Sequence, residues 1–398
     1  MDKSINWGIS AAIIFLAFAV VLLMVPHYPP DDYWRHLKAH HVGYNYQNLF
    51  LDPHVPSKDF YLGFDYILSL LEPVFGIYAF IPIQLLVLSL YSLGLYLALK
   101  DSHSKELATI VFIVSLSVVF SRVVLARPTV LVSSLFVFLW FVRIKDEIKP
   151  FLMAMATPLY WLTFLYCFVF TFRTPLFGVL SVFLSFFILF FMYGGDVFME
   201  VMRIFHYQSF RVEGLSVLEN ENPLVLIATP SVFALLGLSE LRKDLRTFFA
   251  GVFFLLSFQV RYAIEVSLMF FASFSRYLKV SIPPLLSVPF LYMIFAYSHQ
   301  VSPLYDYREV RGIFQNKKVL FGVYGAPFFQ AVYFLDAKFS PSMEVGYSSK
   351  DVQRLLLKDF SCSRIKGYDL FVEDWLTYKP ECLELVGVYK EFRIWKIR

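Results

Sequence analysis

The chain has 398 residues, of which 58% are hydrophobic and 17% are charged, and its mean hydropathy is +0.61. Soluble domains carry about 45–50% apolar and about 25% charged residues, so this composition excludes an ordinary soluble protein and indicates an integral membrane protein. The net charge of +4 is too small to indicate a nucleic-acid partner.

The first uncharged run, residues 7–25, has the length that one membrane-spanning helix needs. No small-residue cleavage site follows it, which favours a retained signal anchor. Further uncharged runs occupy residues 73–99, 107–121, 128–142, 150–172, 174–195, 222–239, 247–260, 266–275 and 280–298. The sequence therefore predicts a mainly α, polytopic membrane protein with about nine or ten transmembrane helices.

Short linkers rich in Lys and Arg give the orientation, because such linkers stay in the cytoplasm. They are residues 100–105, 143–149 ("RIKDEIK"), 241–246 ("LRKDLR") and 276–279. We expect a multi-pass protein of the cell (inner) membrane, with residues 26–60 and everything after residue 298 facing outward.

One stretch leaves two alternatives open. If 143–149 is inside and the acidic loop 196–221 is outside, an odd number of crossings must separate them, yet two long uncharged runs lie between them. Either the run 150–172 is a short helix pair or re-entrant segment, or the loop 196–221 is cytoplasmic.

Charged residues become about twice as frequent after residue 298, which divides the chain into a transmembrane module, 1–298, and a soluble extracytoplasmic domain, 299–398. The patterns of this tail predict a small α/β domain. The predicted strands are "KKVLFGVYG", "YDLFVED" and the closing hairpin "LELVGVYKEFRIWKIR", and the predicted helices are "APFFQAVYFLD" and the serine-capped "SSKDVQRLLLKD". Cys362 and Cys382 both lie here, where oxidising conditions permit a disulfide, although two free thiols are the alternative.

The first outer loop, 26–72, opens with "YPPDDYWRHLKAHHVGYNY". Asp31 follows Pro30 in a position to cap a helix, and one carboxylate is enough for a cap, so the second, Asp32, has no structural need. On a continuous helix, Asp32, His36 and His40 fall at i, i+4 and i+8 and share one face.

This arrangement resembles the GT-C superfamily of polyprenyl-phosphate-sugar-dependent glycosyltransferases, which includes the aminoarabinose and protein O-mannosyl transferases. Those proteins place an acidic pair just after the first span, and then a proline-containing surface helix and a phenylalanine-glycine turn into the second span, as in "LEPVFG" here. "VLARPTVLVSSLFVFL", "FTFRTPLFGVL" and "QVRYAIEVSLMFFA" are similar to their later arginine motifs. One departure is the Asp-Asp pair, where several relatives have Asp-Glu.

The resemblance implies sugar transfer from a polyprenyl-phosphate donor to a glycan, lipid or protein acceptor at the membrane surface. Such a transfer needs a carboxylate base and cations that stabilise the phosphate. We expect Asp31 to be the base and Asp32 to assist it. The candidate substrate-binding residues are Tyr33, His36, Arg122, Arg127, Arg173, His206, Arg261 and Tyr262. For the arginines, interfacial snorkelling is the alternative interpretation.

A divalent metal is a further expectation, because Asp32, His36 and His40 have suitable ligand chemistry and helical spacing. Two other classes of function remain open. A transporter would place ionisable residues near the bilayer midplane, often with internal repeats, neither of which the sequence displays. A non-catalytic polysaccharide-assembly protein would not need paired carboxylates at the membrane surface.

Overall fold

The computed structural model describes residues 3–24, 28–52, 55, 60–195, 264–275, 288–289, 303–342 and 348–398. The chain forms two compact units. The first unit contains residues 1–28, 77–188 and 217–301, and the second contains residues 29–76, 189–216 and 302–398. The division differs from the expected one because the first loop groups with the C-terminal domain.

The described part of the chain is mostly helical. Its α-helices are α1 Lys3–Met24, α2 Tyr33–Lys38, α3 Leu62–Phe75, α4 Phe80–Leu99, α5 Lys105–Val123, α6 Pro128–Phe141, α7 Lys149–Ala154, α8 Thr163–Phe170, α9 Pro175–Tyr193, α10 Ile264–Ser275, α11 Arg311–Phe314, α12 Ala326–Phe334 and α13 Lys350–Leu356. Its strands are β1 Lys318–Phe321, β2 Lys338–Ser340, β3 Leu370–Glu373, β4 Leu383–Tyr389 and β5 Phe392–Ile397.

Four helices of the described residues, α1, α4, α5 and α9, are long and apolar enough to cross a membrane. Large apolar side chains are exposed along α1 and α9, among them Ile13, Leu16, Phe187 and Phe191. Such exposure is expected of surfaces that face lipid. The predicted runs 222–239 and 247–260, and most of 280–298, lie outside the described residues.

Helix α4 is central to the first unit. At Gly94, an added Cβ atom would lie 2.7 Å from Cγ1 of Val137, so glycine allows α4 and α6 to approach closely. Helix α10 packs against α4, α5 and α6. The hydroxyl of Tyr91 on α4 donates a hydrogen bond to the carbonyl oxygen of Glu265 on α10, at 3.2 Å.

The run 150–172 forms a short helix pair, α7 and α8, as one of the two alternatives predicted. At about 1.5 Å per residue, helices of six and eight residues are far too short to span a bilayer of about 30 Å. The guanidinium of Arg173, just after α8, binds the carboxylate of Asp146, just before α7. The pair therefore begins and ends at the same place, and α9 is the single long helix that follows it before residue 196.

The C-terminal part of the second unit is a five-stranded mixed sheet with the order β2-β1-β3-β5-β4. Strand β1 is parallel to β2 and β3, and β5 is antiparallel to β3 and β4. The predicted strands, helices and closing hairpin of the tail are confirmed. The hydroxyl of Ser349 caps α13, and Cys362 and Cys382 form the predicted disulfide, with Cα atoms 6.0 Å apart.

The first loop completes one edge of this sheet. The amide of Leu51 donates to the carbonyl of Phe339 at 2.9 Å, and the amide of Phe339 donates to the carbonyl of Leu49 at 2.8 Å. The hydroxyls of Ser340 and Ser348 both donate to the carboxylate of Asp52 at 3.0 Å. Segments that pair in this way must lie on the same side of a membrane.

Candidate functional site

The stretch 31–42 changes its helical type after Lys38. Helix α2 ends there, and residues Ala39–Val42 form a tighter 3-10 turn that Gly43 ends with a φ of +64°. The prediction of one continuous helix is therefore wrong after Lys38. His40 does not lie on the helix face that Asp32 and His36 share. Instead, His36 contacts Asp32 and Asp65, whereas His40 contacts Glu72. The predicted metal-ligand set is divided between two clusters.

The adjacent carboxylates lie at the start of α2. Asp32 is the N-cap residue by position, but its side chain makes no capping hydrogen bond. The amide of Tyr33 lies 3.5 Å from Oδ1 of Asp31, at the outer limit of a hydrogen bond. Asp31 is buried, and the side chain of Asp32 is 19% exposed. The need for a helix cap therefore does not account for the pair.

Arg35 neutralises Asp32 inside this cluster. Its Nη2 donates to Oδ2 of Asp32 at 3.2 Å, and the guanidinium lies over the rings of Tyr46 and Tyr61 at 5.4 and 5.7 Å from their centroids. The Arg35 side chain is almost fully buried. A buried cation needs such partners, because taking it out of water is costly.

His36 connects the acidic pair to α3. Its Nδ1 lies 2.6 Å from Oδ1 of Asp65, its Nε2 lies 3.8 Å from Oδ2 of Asp32, and the hydroxyl of Tyr46 donates to Oδ2 of Asp65 at 3.1 Å. Burial and the charge of Arg35 lower the pKa of His36, but the carboxylates of Asp65 and Asp32 outweigh them and raise it to about 9. At neutral pH, His36 is therefore a buried imidazolium ion.

A second cluster lies at the other end of α3. Nε2 of His40 is 3.0 Å from Oε2 of Glu72, and Nε2 of His41 is 3.1 Å from Oε1. The hydroxyl of Tyr333, on α12, donates to Oε1 of Glu72 at 2.7 Å. Burial and the hydrogen bond to Glu72 raise the pKa of Tyr333. Burial and the neighbouring His41 lower the pKa of His40, so this imidazole is neutral at pH 7.

Sequence reasoning missed Asp65 and Glu72, the two acids that α3 contributes. They are seven residues apart, about two helical turns, and so lie on the same face of α3. The signal was present: these are the two charged residues of an otherwise apolar helix, and an isolated charge in such a helix usually has a partner. Pro73 and Gly76, whose φ is +57°, end the helix beside Glu72.

Arg122 has an acidic partner in the first unit. Its Nε donates to Oε1 of Glu265 at 3.1 Å, and both side chains are buried. This pairing gives Arg122 a structural role, and it competes with the expected contact to a phosphate. Arg127 is half-buried at the N-cap of α6, where the helix dipole also favours an anion.

Arg173 lies beside the linker 143–149. It makes two contacts of 3.0 Å to the carboxylate of Asp146, donates to the carbonyl of Trp140 at 2.6 Å, and stacks on the Trp140 ring. A ligand for a donor at the outer face would have to lie on the outer side, whereas the linker 143–149 was expected in the cytoplasm. The structure puts the two together, so those placements are incompatible, because the run between them does not cross the membrane.

Tyr33 is buried, and its ring packs edge-on against Trp34. His206, Arg261 and Tyr262 lie outside the described residues.

The interpretation of this site therefore depends on its geometry and not on related proteins. Comparison of the chain with protein-family models, with curated proteins and with solved structures finds no match.

Proposed function

We propose that the protein is an integral membrane glycosyltransferase, which moves a hexose or pentose from a polyprenyl-phosphate donor to an acceptor at the outer face of the cytoplasmic membrane. The acceptor is a glycan, lipid or protein. The observation that carries this proposal is the pair Asp31 and Asp32 at the start of α2, backed by the buried ion network of Arg35, His36 and Asp65. A loop that served only as a connection would not need five ionisable side chains with so little solvent around them.

The network supports different roles for the two carboxylates. Asp32 is held by Arg35 and faces the imidazolium of His36, so it is fixed in place and its charge is balanced. Asp31, next to it, is the base in this proposal. It removes the proton from the acceptor hydroxyl or amide as the acceptor attacks the anomeric carbon, the bond from that carbon to the phosphate oxygen breaks, and the phosphate keeps the electron pair. Direct displacement inverts the anomeric centre.

The phosphate role is assigned to Arg127 and Arg261. Both lie in arginine motifs that resemble those of the glycosyltransferase superfamily, whereas Arg122 is bound to Glu265 in a buried ion pair. Arginine suits this task because its planar fork binds two phosphate oxygens at once.

The test uses the full chain in detergent or nanodiscs with a panel of short-chain polyprenyl-phosphate sugars. We expect Asp31→Asn to abolish donor consumption while leaving folding intact, and Asp32→Asn to reduce it strongly. Asp374→Asn, which replaces an exposed aspartate of the C-terminal domain, is the matched control. Turnover of the Asp31→Asn, Asp32→Asn double variant at the wild-type rate would contradict the proposal.

A secondary transporter is the second candidate, because the pair Arg122 and Glu265 is buried between apolar helices. Intramembrane charges of this kind often mark a transport pathway. Both residues, however, lie in terminal turns, Arg122 at the end of α5 and Glu265 at the start of α10, whereas transporter sites lie near the midplane. Saturable uptake of a solute into proteoliposomes, without donor consumption, would favour transport.

A further inference from the structure

Two adjacent imidazoles and one carboxylate converge in the second unit. Nε2 of His40, Nε2 of His41 and the carboxylate of Glu72 provide three ligand atoms that lie within 4.8 Å of one another. The two imidazole rings are in contact, tilted by 38° with centroids 3.8 Å apart, and Nε2 of each approaches the same carboxylate. We propose that His40, His41 and Glu72 form a binding site for Zn²⁺, with a fourth coordination position open to water.

The distances fit this ion with small adjustments. Zinc binds imidazole nitrogen and carboxylate oxygen at about 2.0–2.2 Å, so ligand atoms at the corners of a tetrahedron lie about 3.4 Å apart. Nε2 of His40 lies 3.0 Å from Oε2 of Glu72, and Nε2 of His41 lies 3.1 Å from Oε1, both close to this spacing. Two imidazoles with one carboxylate favour Zn²⁺ over Mg²⁺ or Ca²⁺, which prefer oxygen ligands.

The hydrogen bonding of Glu72 leaves one oxygen available. Oε1 accepts a hydrogen bond from the hydroxyl of Tyr333 and is approached by His41. Oε2 is buried and lies 3.0 Å from Nε2 of His40, but it accepts no well-aligned hydrogen bond from the described part of the chain. A metal ion between Oε2 and the two imidazoles would satisfy this oxygen.

The surroundings hold the carboxylate in place. Tyr333 packs its ring against Trp34, and its carbonyl oxygen accepts from Nζ of Lys38 at 3.1 Å. Lys38 also lies 3.5 Å from Asp336, which offsets its positive charge near the site. Such groups behind a metal ligand fix its orientation and contribute to affinity. The side chain of His41 is 46% exposed, so an ion can enter from solvent.

The experiment measures metal binding and needs no substrate. The full chain is treated with EDTA, transferred to metal-free buffer in detergent, and titrated with Zn²⁺ by calorimetry; bound zinc is counted by mass spectrometry. We expect one Zn²⁺ per chain in the wild type and in His103→Ala, which removes an exposed histidine elsewhere. His41→Ala and Glu72→Gln should bind roughly tenfold or more weakly, and Tyr333→Phe should weaken binding by about 10–100-fold.

Substitution of Co²⁺ for Zn²⁺ gives a second, spectroscopic test of the site. Co²⁺ bound to the wild type should show the intense visible absorption of a tetrahedral site, and His41→Ala should lose it. Because His41 is half-exposed, that variant will fold even if Glu72→Gln does not. The proposal is overturned if the wild type binds no Zn²⁺, if His41→Ala binds it as the wild type does, or if Asp32→Asn releases the ion while His41→Ala keeps it.

Discussion

Nδ1 of His36 lies 2.6 Å from Oδ1 of Asp65, and neither side chain is exposed to solvent. This contact joins α2 to α3 with a charge pair, since the pKa of His36 is raised to about 9 from its ordinary value of 6.5. The pair is therefore intact at neutral pH and depends on the proton that His36 holds.

The first prediction follows from this proton. A histidine whose pKa is higher in the folded state stabilises the fold fully below about pH 6.5, and the stabilisation is lost as the pH rises through about 9. We expect the free energy of unfolding to fall by up to about 3 kcal/mol between pH 7 and pH 10. Thermal unfolding of the purified chain, followed by tryptophan fluorescence across this range, measures the loss.

Asp65→Asn supplies the control for that measurement, because it removes the charge that raises the pKa of His36. The variant should be less stable at pH 7 and should lose much less stability between pH 7 and pH 10. An equal slope in the two proteins would show that another group causes the pH dependence.

The second prediction concerns the buried pair of Arg122 and Glu265. Arg122→Ala removes the cation that binds the buried carboxylate of Glu265, so it should destabilise the protein by about 3–5 kcal/mol. Arg122→Met with Glu265→Gln should recover much of that loss, because neither charge remains. Arg127→Ala, at a half-buried position, is the comparison: it should change stability little but weaken donor binding. If Arg122→Ala instead weakened donor binding with little change in stability, Arg122 would be the residue that binds the phosphate.

The third prediction concerns the disulfide between Cys362 and Cys382, which are 20 residues apart. Closing a loop of this length stabilises a domain by about 3 kcal/mol in the chain-entropy model. Cys362→Ser should therefore lower the melting temperature and increase proteolysis of residues 348–398. Reductant should destabilise the wild type and Cys167→Ala, whose replaced thiol is free and buried, but should have no further effect on Cys362→Ser. A wild type insensitive to reductant would contradict this.

The fourth prediction tests topology with engineered cysteines at exposed positions. Lys350→Cys should react with a membrane-impermeant reagent in intact cells, whereas Glu147→Cys should react only after permeabilisation. Because Arg173 contacts Asp146, we expect Arg173 to lie on the same side of the membrane as residue 147. Labelling of Glu147→Cys in intact cells would reverse the orientation proposed for the chain.

Local pattern was sufficient for much of the C-terminal fold. Period-two alternation identified β4 and β5, and Ser349 marked the start of α13, because capping and strand burial depend on residues that are close in sequence. Strand β2 was missed because three residues, Lys338–Ser340, are too few to show a pattern.

The site was predicted only in part, since its partners come from distant positions. Asp31 and Asp32 were predicted from their position after Pro30, and His36 from its helical spacing to Asp32. Asp65 and Tyr46 join them through folding that no short window contains. The contact of Arg173 with Asp146 was missed for a related reason. Counting hydrophobic runs assumes that each run crosses the membrane, and α7 and α8 are two short helices that return to their starting point.

The pairing of Phe50 with Phe339 has a consequence for biosynthesis. The C-terminal sheet is completed by a segment that the ribosome makes almost three hundred residues earlier, so this part of the fold has a very high contact order and forms after the helices between them. Until then, the exposed edge of β2 is a site for pairing with other chains. A fragment that begins near residue 302 should therefore aggregate when expressed alone, and a peptide covering residues 29–76, supplied in trans, should keep it soluble.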